Sequence, residues 1–224
     1  MACSSRKAGD SFVVEPRLSM ATENYLLSIY RLEEQGMKIT PTQLSEHFKT
    51  FPVDEGMGTS LPSVGGMIRR MGREGLVDTS SKKEIVLTRK GLKSAESIVR
   101  RHRLAERMVV DLLDVELGKS HVEAHRLEHA ISPQLEKKID KRLGHPVTCP
   151  FGHPIPGSSY VSNEGSFLLD GARSGQRLVI DRIPEDDQGL LEYLVDRNLV
   201  PGRVVTVIEA APTRGVFTLS CDDA

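Results

Sequence analysis

Six of the seven histidines fall between His102 and His153, and their spacing constrains the fold more than any other feature of the chain. His121, His125, Glu128 and His129 stand at i, i+4, i+7 and i+8, so a helix would set all four on one stripe. His102 and Glu106 form a shorter i, i+4 pair on the helical stretch before it. A single pair of this kind reads as a solvated charged face, whereas three imidazoles in a row with a carboxylate read as metal ligands. Helical rise limits what one ion can reach: His121 and His129 lie about 12 Å apart along the axis, against metal–ligand bonds of about 2 Å. The stripe therefore calls for two metal sites per subunit, in series. The upper takes His121 with His102 and Glu106, and the lower takes His125, Glu128 and His129.

The same residues admit a second reading. His125-Arg126-Leu127-Glu128-His129 fits H-x-x-E-H, the pattern of a zinc-dependent hydrolase with two histidine ligands and a glutamate base. Such an enzyme keeps an open metal position beside a substrate cleft. The chain around the motif offers no sign of a peptide-binding cleft, and that reading leaves the second metal pair and the basic segment upstream unexplained.

That upstream segment has its own logic. Tyr25, Leu26, Ile29, Tyr30 and Leu32 recur at helical spacing between Met20 and Gln35. Thr40-Pro41-Thr42-Gln43 is a capping-box start, with Leu44 and Phe48 on the inner face of the helix it opens. A loop over residues 51–59 leads to Ser60 and Pro62, which open a third helix that buries Val64, Met67, Ile68 and Met71. Leu76-Val77 and Ile85-Val86-Leu87 then flank a polar, basic tip, which reads as a β-hairpin. Helix, helix, basic helix, basic hairpin is the order of a winged helix-turn-helix, which lays its third helix in the major groove. Thr42, Pro62, Ser63, Arg70 and Arg73 are the candidate DNA contacts, with Lys82 and Lys83 on the phosphates along the wing.

The net charge of −1 hides an asymmetry that agrees with this. Residues 60–107 carry 12 Lys/Arg against 5 Asp/Glu, while residues 160–224 carry 6 against 11. A basic block beside an acidic one suits a phosphate-binding half joined to a half with another task. Long helical patterns run from Thr88 to about Val115 and from Lys119 to about Leu143, the second broken at Ser132-Pro133. Pro and Gly then dominate until Phe167, after which short strands alternate with a helical stretch from Leu190 to Asn198. No segment reaches the roughly 18 apolar residues of a membrane span. Met1 to Arg17 reads as a flexible arm rather than a signal peptide, and three scattered cysteines suit a reducing, cytoplasmic setting.

The resulting expectation is a mainly α protein with a small β part. An arm over residues 1–18 precedes a winged helix-turn-helix over 19–92. A helical metal-binding and dimerisation domain follows over 93–145, then a linker over 146–170 and an SH3-like β-barrel over 171–224.

Four stretches carry a resemblance to a known family. They are Glu23-Asn24-Tyr25-Leu26 with Ile29-Tyr30, Arg101-His102-Arg103-Leu104-Ala105-Glu106-Arg107, the His121 to His129 stripe, and Pro150-Phe151-Gly152-His153-Pro154-Ile155-Pro156-Gly157. Together they resemble the diphtheria-toxin-repressor and manganese-transport-regulator family of metalloregulators, over about Ala21 to Gly157 and more weakly from Gly171. The resemblance implies a homodimeric repressor of metal-uptake genes that binds a double-stranded DNA operator and takes no small-molecule substrate. It also implies a FeoA-like tail. The lower site becomes the primary one, completed by Asn24, and the upper becomes an ancillary one, completed by acidic or amide side chains of the tail.

Within Glu185-Asp186-Asp187-Gln188 the expected tail ligand is Asp187, with Glu185 and Gln188 as alternatives, and Leu190 stands where the amide ligand is expected. Iron-responsive members of that family carry Met and Cys where this chain has Asn24 and His125, and manganese-responsive members carry Asp and Glu. An all-nitrogen-and-oxygen set points to Mn²⁺ first and Fe²⁺ next, although Zn²⁺ also binds imidazole tightly. Two further departures concern DNA reading: residues 51–58 are longer than usual, and Gly65 and Gly66 stand where base-contacting residues are expected.

Overall fold

A computed structural model describes residues 18–49, 58–80 and 83–221. Residues 1–17 of the arm expected over 1–18, most of the long 51–58 segment and Lys82 lie outside the described residues.

Helix α1 spans Met20–Glu34, α2 Pro41–Phe48 and α3 Leu61–Arg73. Each begins where a side chain satisfies an orphan backbone donor: Ser19 accepts from Thr22 N, Thr40 from Gln43 N and Ser60 from Ser63 N. At Thr40 the cap is reciprocal, because Gln43 Oε1 accepts from Thr40 N at 3.0 Å. Such a box contributes about 1 kcal/mol, which matters for a helix of only 8 residues. Strands β1 (Val77–Thr79) and β2 (Ile85–Leu87) pair antiparallel as the wing. The wing is tied back to the helices by Ile85 N, which donates to Ile39 O at 2.7 Å.

Helix α4 runs Arg89–Asp111, α5 Leu117–Glu128 and α6 Pro133–Arg142, with Ser132 capping the last. The first half of α4 closes the core of the reading motif: Ala95, Ile98 and Val99 pack with Tyr25, Leu26, Ile29, Phe48, Val64 and Met71. Its second half belongs to another core, where Leu104 and Ala105 meet Ala124, Ile131, Ile139 and Ile155. One rigid helix thus spans the reading motif and the histidine stripe.

The segment expected to be a linker is ordered at its start. Cys149 and Phe151 are fully buried and form a third core with Ile183 and Leu191. Ile183 N donates to Phe151 O at 3.1 Å, joining this segment to the tail. The approach is close enough to require glycine at 152: its φ is +89°, and a Cβ there would lie 2.0 Å from Asp181 O.

In the tail, β3 (Arg177–Val179), β4 (Val204–Ala211) and β5 (Val216–Cys221) form an antiparallel sheet in the order β3-β4-β5, with α7 (Gln188–Asp196) between the first two. The expected SH3-like barrel is represented among the described residues by this three-stranded sheet, without closure. No helix among them is long and apolar enough to cross a membrane.

Candidate metal centre

The histidine stripe of α5 faces α4, and the facing side chains form one buried run of alternating imidazoles and carboxylates. From the top, His121 Nδ1 lies 3.0 Å from Glu106 Oε1, which lies 2.9 Å from His102 Nε2. The other nitrogen of His102, Nδ1, meets Glu128 Oε2. Glu128 Oε1 then lies 3.1 Å from His125 Nδ1 and 3.3 Å from His129 Nε2. His129 Nδ1 continues to Glu23 Oε2 of α1 at 2.7 Å, and Arg101 Nη2 closes the run by donating to Glu23 Oε1 at 2.7 Å.

Two groups in this run bring ligand atoms within 4.8 Å of one another: His102, Glu106, His121 and Glu185, and then His102, His125 and Glu128. The upper expectation of His102, Glu106 and His121 is brought together as a unit. In the lower group, His102 stands beside His125 and Glu128, while His129 reaches Glu128 from the flank and Asn24 lies buried on α1 next to Glu23. His102 therefore belongs to both groups, one ring nitrogen to each, which the i, i+4 spacing with Glu106 did not foretell.

The expected tail ligand Asp187 and its alternative Glu185 take different places. Asp187 is the N-cap of α7, its Oδ1 accepting from Leu190 N at 3.0 Å, and Glu185 is the carboxylate that enters the upper group. Leu190 is 42% exposed, whereas Gln188 Oε1 is buried without a hydrogen-bond partner among the described residues. The N-cap bond ties one oxygen of Asp187 to its own helix.

Charge is held in this interior by mutual pairing. Burial works against the imidazolium of His102, but Glu106 and Glu128 outweigh it and raise its pKa to about 10. Burial likewise opposes Glu128, yet His102 and His125 bring it down to about 2, and Glu106 is held well below the usual carboxylate range against the same opposition. At the end of the run burial again opposes the charge on Glu23, while His129 and Arg101 lower its pKa. Burial pushes the Cys149 thiol up, so it stays an S–H beside Glu185 Oε2 at 3.8 Å.

The donor set suits a divalent cation. All its members are imidazole, carboxylate or amide, the ligand classes of first-row divalent ions. Glu106 Oε2, Asn24 Oδ1 and Gln188 Oε1 are buried without a hydrogen-bond partner among the described residues. A buried unsatisfied oxygen costs about 1–3 kcal/mol, and a coordinated cation would remove that penalty.

The residues expected at DNA lie elsewhere. Thr42 is exposed on α2, Pro62 and Ser63 on the first turn of α3, and Arg70 and Arg73 on its last turns. Arg70 Nε donates to Glu74 Oε1 at 2.9 Å, and Lys83 is exposed on the wing at φ 61°.

Comparison with known proteins fits this arrangement. Residues 17–85 match the N-terminal DNA binding domain of the iron dependent repressors, 88–157 their metal binding and dimerisation domain, and 167–224 a FeoA domain. The iron-dependent repressor IdeR of Mycobacterium leprae is 35% identical over 211 residues, covering 88% of this chain and 87% of that protein. The chain belongs to the iron-dependent repressor family. The diphtheria toxin repressor of Corynebacterium diphtheriae is 33% identical over 210 residues, covering 89% of this chain and 88% of that repressor.

Among solved structures, a manganese-dependent transcriptional repressor in complex with manganese superposes with a TM-score of 0.79 at 30% identity, covering 91% of this chain and 90% of that one. The manganese regulator SloR superposes with a TM-score of 0.73, also at 30% identity, covering 90% and 89%. The family assignment matches the one the four sequence stretches implied.

The family member's buried network also contains residues that sequence reasoning passed over. Glu23 and Arg101 enter the sequence analysis only within the stretches that carry the family resemblance, and Arg31 does not enter it. The available signal was a charged residue at an inward position of a helix, which is rare without a partner.

Proposed function

We propose that this chain is a divalent-metal-dependent, DNA-binding transcriptional repressor that acts as a homodimer, with Mn²⁺ the favoured ion and Fe²⁺ the next. The observation that carries the reading is the run from Glu185 through the α4–α5 histidines to Glu23, because it links the histidine and glutamate candidates to the first helix of the reading motif. The lower, primary site would consist of Asn24, His125, Glu128 and His129, and the upper, ancillary site of His102, Glu106, His121 and Glu185, with Gln188 Oε1 at hand.

A divalent cation at either site would neutralise clustered carboxylates and cross-link the elements that carry its ligands. The chain's own residues do the rest. Glu23 orients the His129 ring from α1, Arg101 holds Glu23, and α4 carries the set position of the ligands to the reading motif. Two recognition helices held at a fixed spacing match successive major grooves, so metal and operator tighten one another by the same factor.

Relatives named for iron and structures named for manganese both support the metal class. The absence of a thiolate or thioether at positions 24 and 125 favours manganese. The hydrolase alternative is set aside, because the relatives are repressors and the would-be base Glu128 is fully buried among three imidazoles.

The test is operator binding by the purified full chain at fixed free Mn²⁺, Fe²⁺ or Zn²⁺. Binding should require added metal and fall with chelator and with rising salt. Tight binding that persists unchanged in excess chelator overturns the reading.

A further inference from the structure

The tail meets the reading motif through an ion-pair cluster that no metal ligation requires. Arg31, on α1, is 3% exposed although it carries a guanidinium. Its Nη2 lies 2.8 Å from Glu185 Oε1 and 2.5 Å from Asp186 Oδ1. At the C-cap of α1, Gln35 Nε2 donates to Asp186 Oδ2 at 3.1 Å. Glu185 is also the tail's member of the upper metal group, and its second oxygen, Oε2, lies 3.8 Å from both His153 Nε2 and Cys149 Sγ.

We propose that Arg31 is a positioning residue, an internal cation that holds the tail's Glu185 and Asp186 against α1 so that the upper metal group is assembled before any metal arrives. The proposal rests on the metalloregulator reading for its consequence, though not for its structural core. A buried guanidinium is stable only when its charge is matched, and here both matching carboxylates come from the tail. Undocking the tail would separate that guanidinium from both carboxylates at once. The docked state is therefore favoured in metal-free protein.

Two effects of Arg31 on a bound ion oppose each other: its charge repels a cation, and its ion pair through Nη2 holds Glu185 in place. Asp186 shares the guanidinium and screens it, so the fixing of Glu185 dominates. Loss of Arg31 should consequently raise the Mn²⁺ needed for operator binding rather than lower it.

Hydrogen exchange of the full chain in chelator tests this without metal or DNA. The reporter is the Ile183 amide, which donates from the tail to Phe151 O. Exchange follows the population of the opened state. In the parent this amide should stay protected in chelator. In Arg31→Gln, and independently in Asp186→Asn, it should exchange roughly tenfold or more faster. Amides within α4 should keep their parental rates, which separates undocking from unfolding.

Added Mn²⁺ should slow the variants' exchange again, and Arg31→Gln should need several-fold more Mn²⁺ than the parent for half-maximal operator binding. Parental exchange in both variants, or a parent as unprotected in chelator as the variants, overturns the proposal. A parent that ignores Mn²⁺ when binding DNA overturns the metalloregulator reading instead and leaves the chelator result interpretable.

Discussion

Glu23 and His129, 106 residues apart in sequence, meet at 2.7 Å through Oε2 and Nδ1. This contact joins the first helix of the reading motif to the end of the histidine stripe. It fixes which ring nitrogen of His129 is available on the other side, where Nε2 faces Glu128 at 3.3 Å. Glu23→Gln keeps the shape and removes the charge. A partner of this kind is worth about 10–100-fold in metal affinity. The variant should fold normally by circular dichroism and need at least about tenfold more metal for operator binding. A parental metal requirement would mean that His129 is held without Glu23.

His102 gives a sharper test of how the two groups are connected. Its Nε2 lies 2.9 Å from Glu106 while Nδ1 meets Glu128, so both groups depend on one ring. In calorimetric Mn²⁺ titrations, His102→Ala should weaken both binding events, whereas His121→Ala should weaken one. If His102→Ala leaves one event at parental affinity, the groups are independent.

The tail carboxylates should separate by type of defect. Asp187→Ala removes the N-cap of α7 and should lower stability by about 1 kcal/mol in chemical denaturation, with the metal requirement unchanged. Glu185→Gln should weaken metal activation modestly, and His129→Ala should abolish it. Equal losses of activation from Glu185→Gln and His129→Ala would contradict the division into ancillary and primary sites.

Metal choice should follow position 125. Exchanging the buried imidazole for a thiolate favours softer ions, so His125→Cys should move activation from Mn²⁺ towards Zn²⁺ or Fe²⁺. Asn24 offers a buried carbonyl oxygen from α1 that has no hydrogen-bond partner among the described residues. Asn24→Ala should therefore reduce Mn²⁺ activation of DNA binding more than Mn²⁺ binding itself. Equal effects on both would show that α1 is not held through Asn24.

DNA binding through α3 should appear as a salt effect. Arg70 and Arg73 lie exposed on its last turns, and removing an arginine that neutralises a phosphate should reduce the slope of log affinity against log salt by about 1. Arg70→Ala and Arg73→Ala should do this without changing the metal requirement. An unchanged slope in both would place the phosphate backbone elsewhere on the surface.

What the sequence determined by itself was everything governed by neighbours a few residues apart. Thr40 and Gln43 mark a capping box, Ser132-Pro133 breaks the long helix, and the spacing of His121, His125, Glu128 and His129 sets one stripe, because caps and helical period are local geometry. Four short stretches were also enough to imply the family.

What only the tertiary structure decided was the set of meetings between charges far apart in the chain. These are His102 shared between two groups, Glu23 against His129, Arg31 against Glu185 and Asp186, and Glu185 within reach of His102, Glu106 and His121. No periodicity encodes them, because a buried charge takes whichever partner packing brings within about 3 Å, and that is settled by how helices and sheet come together.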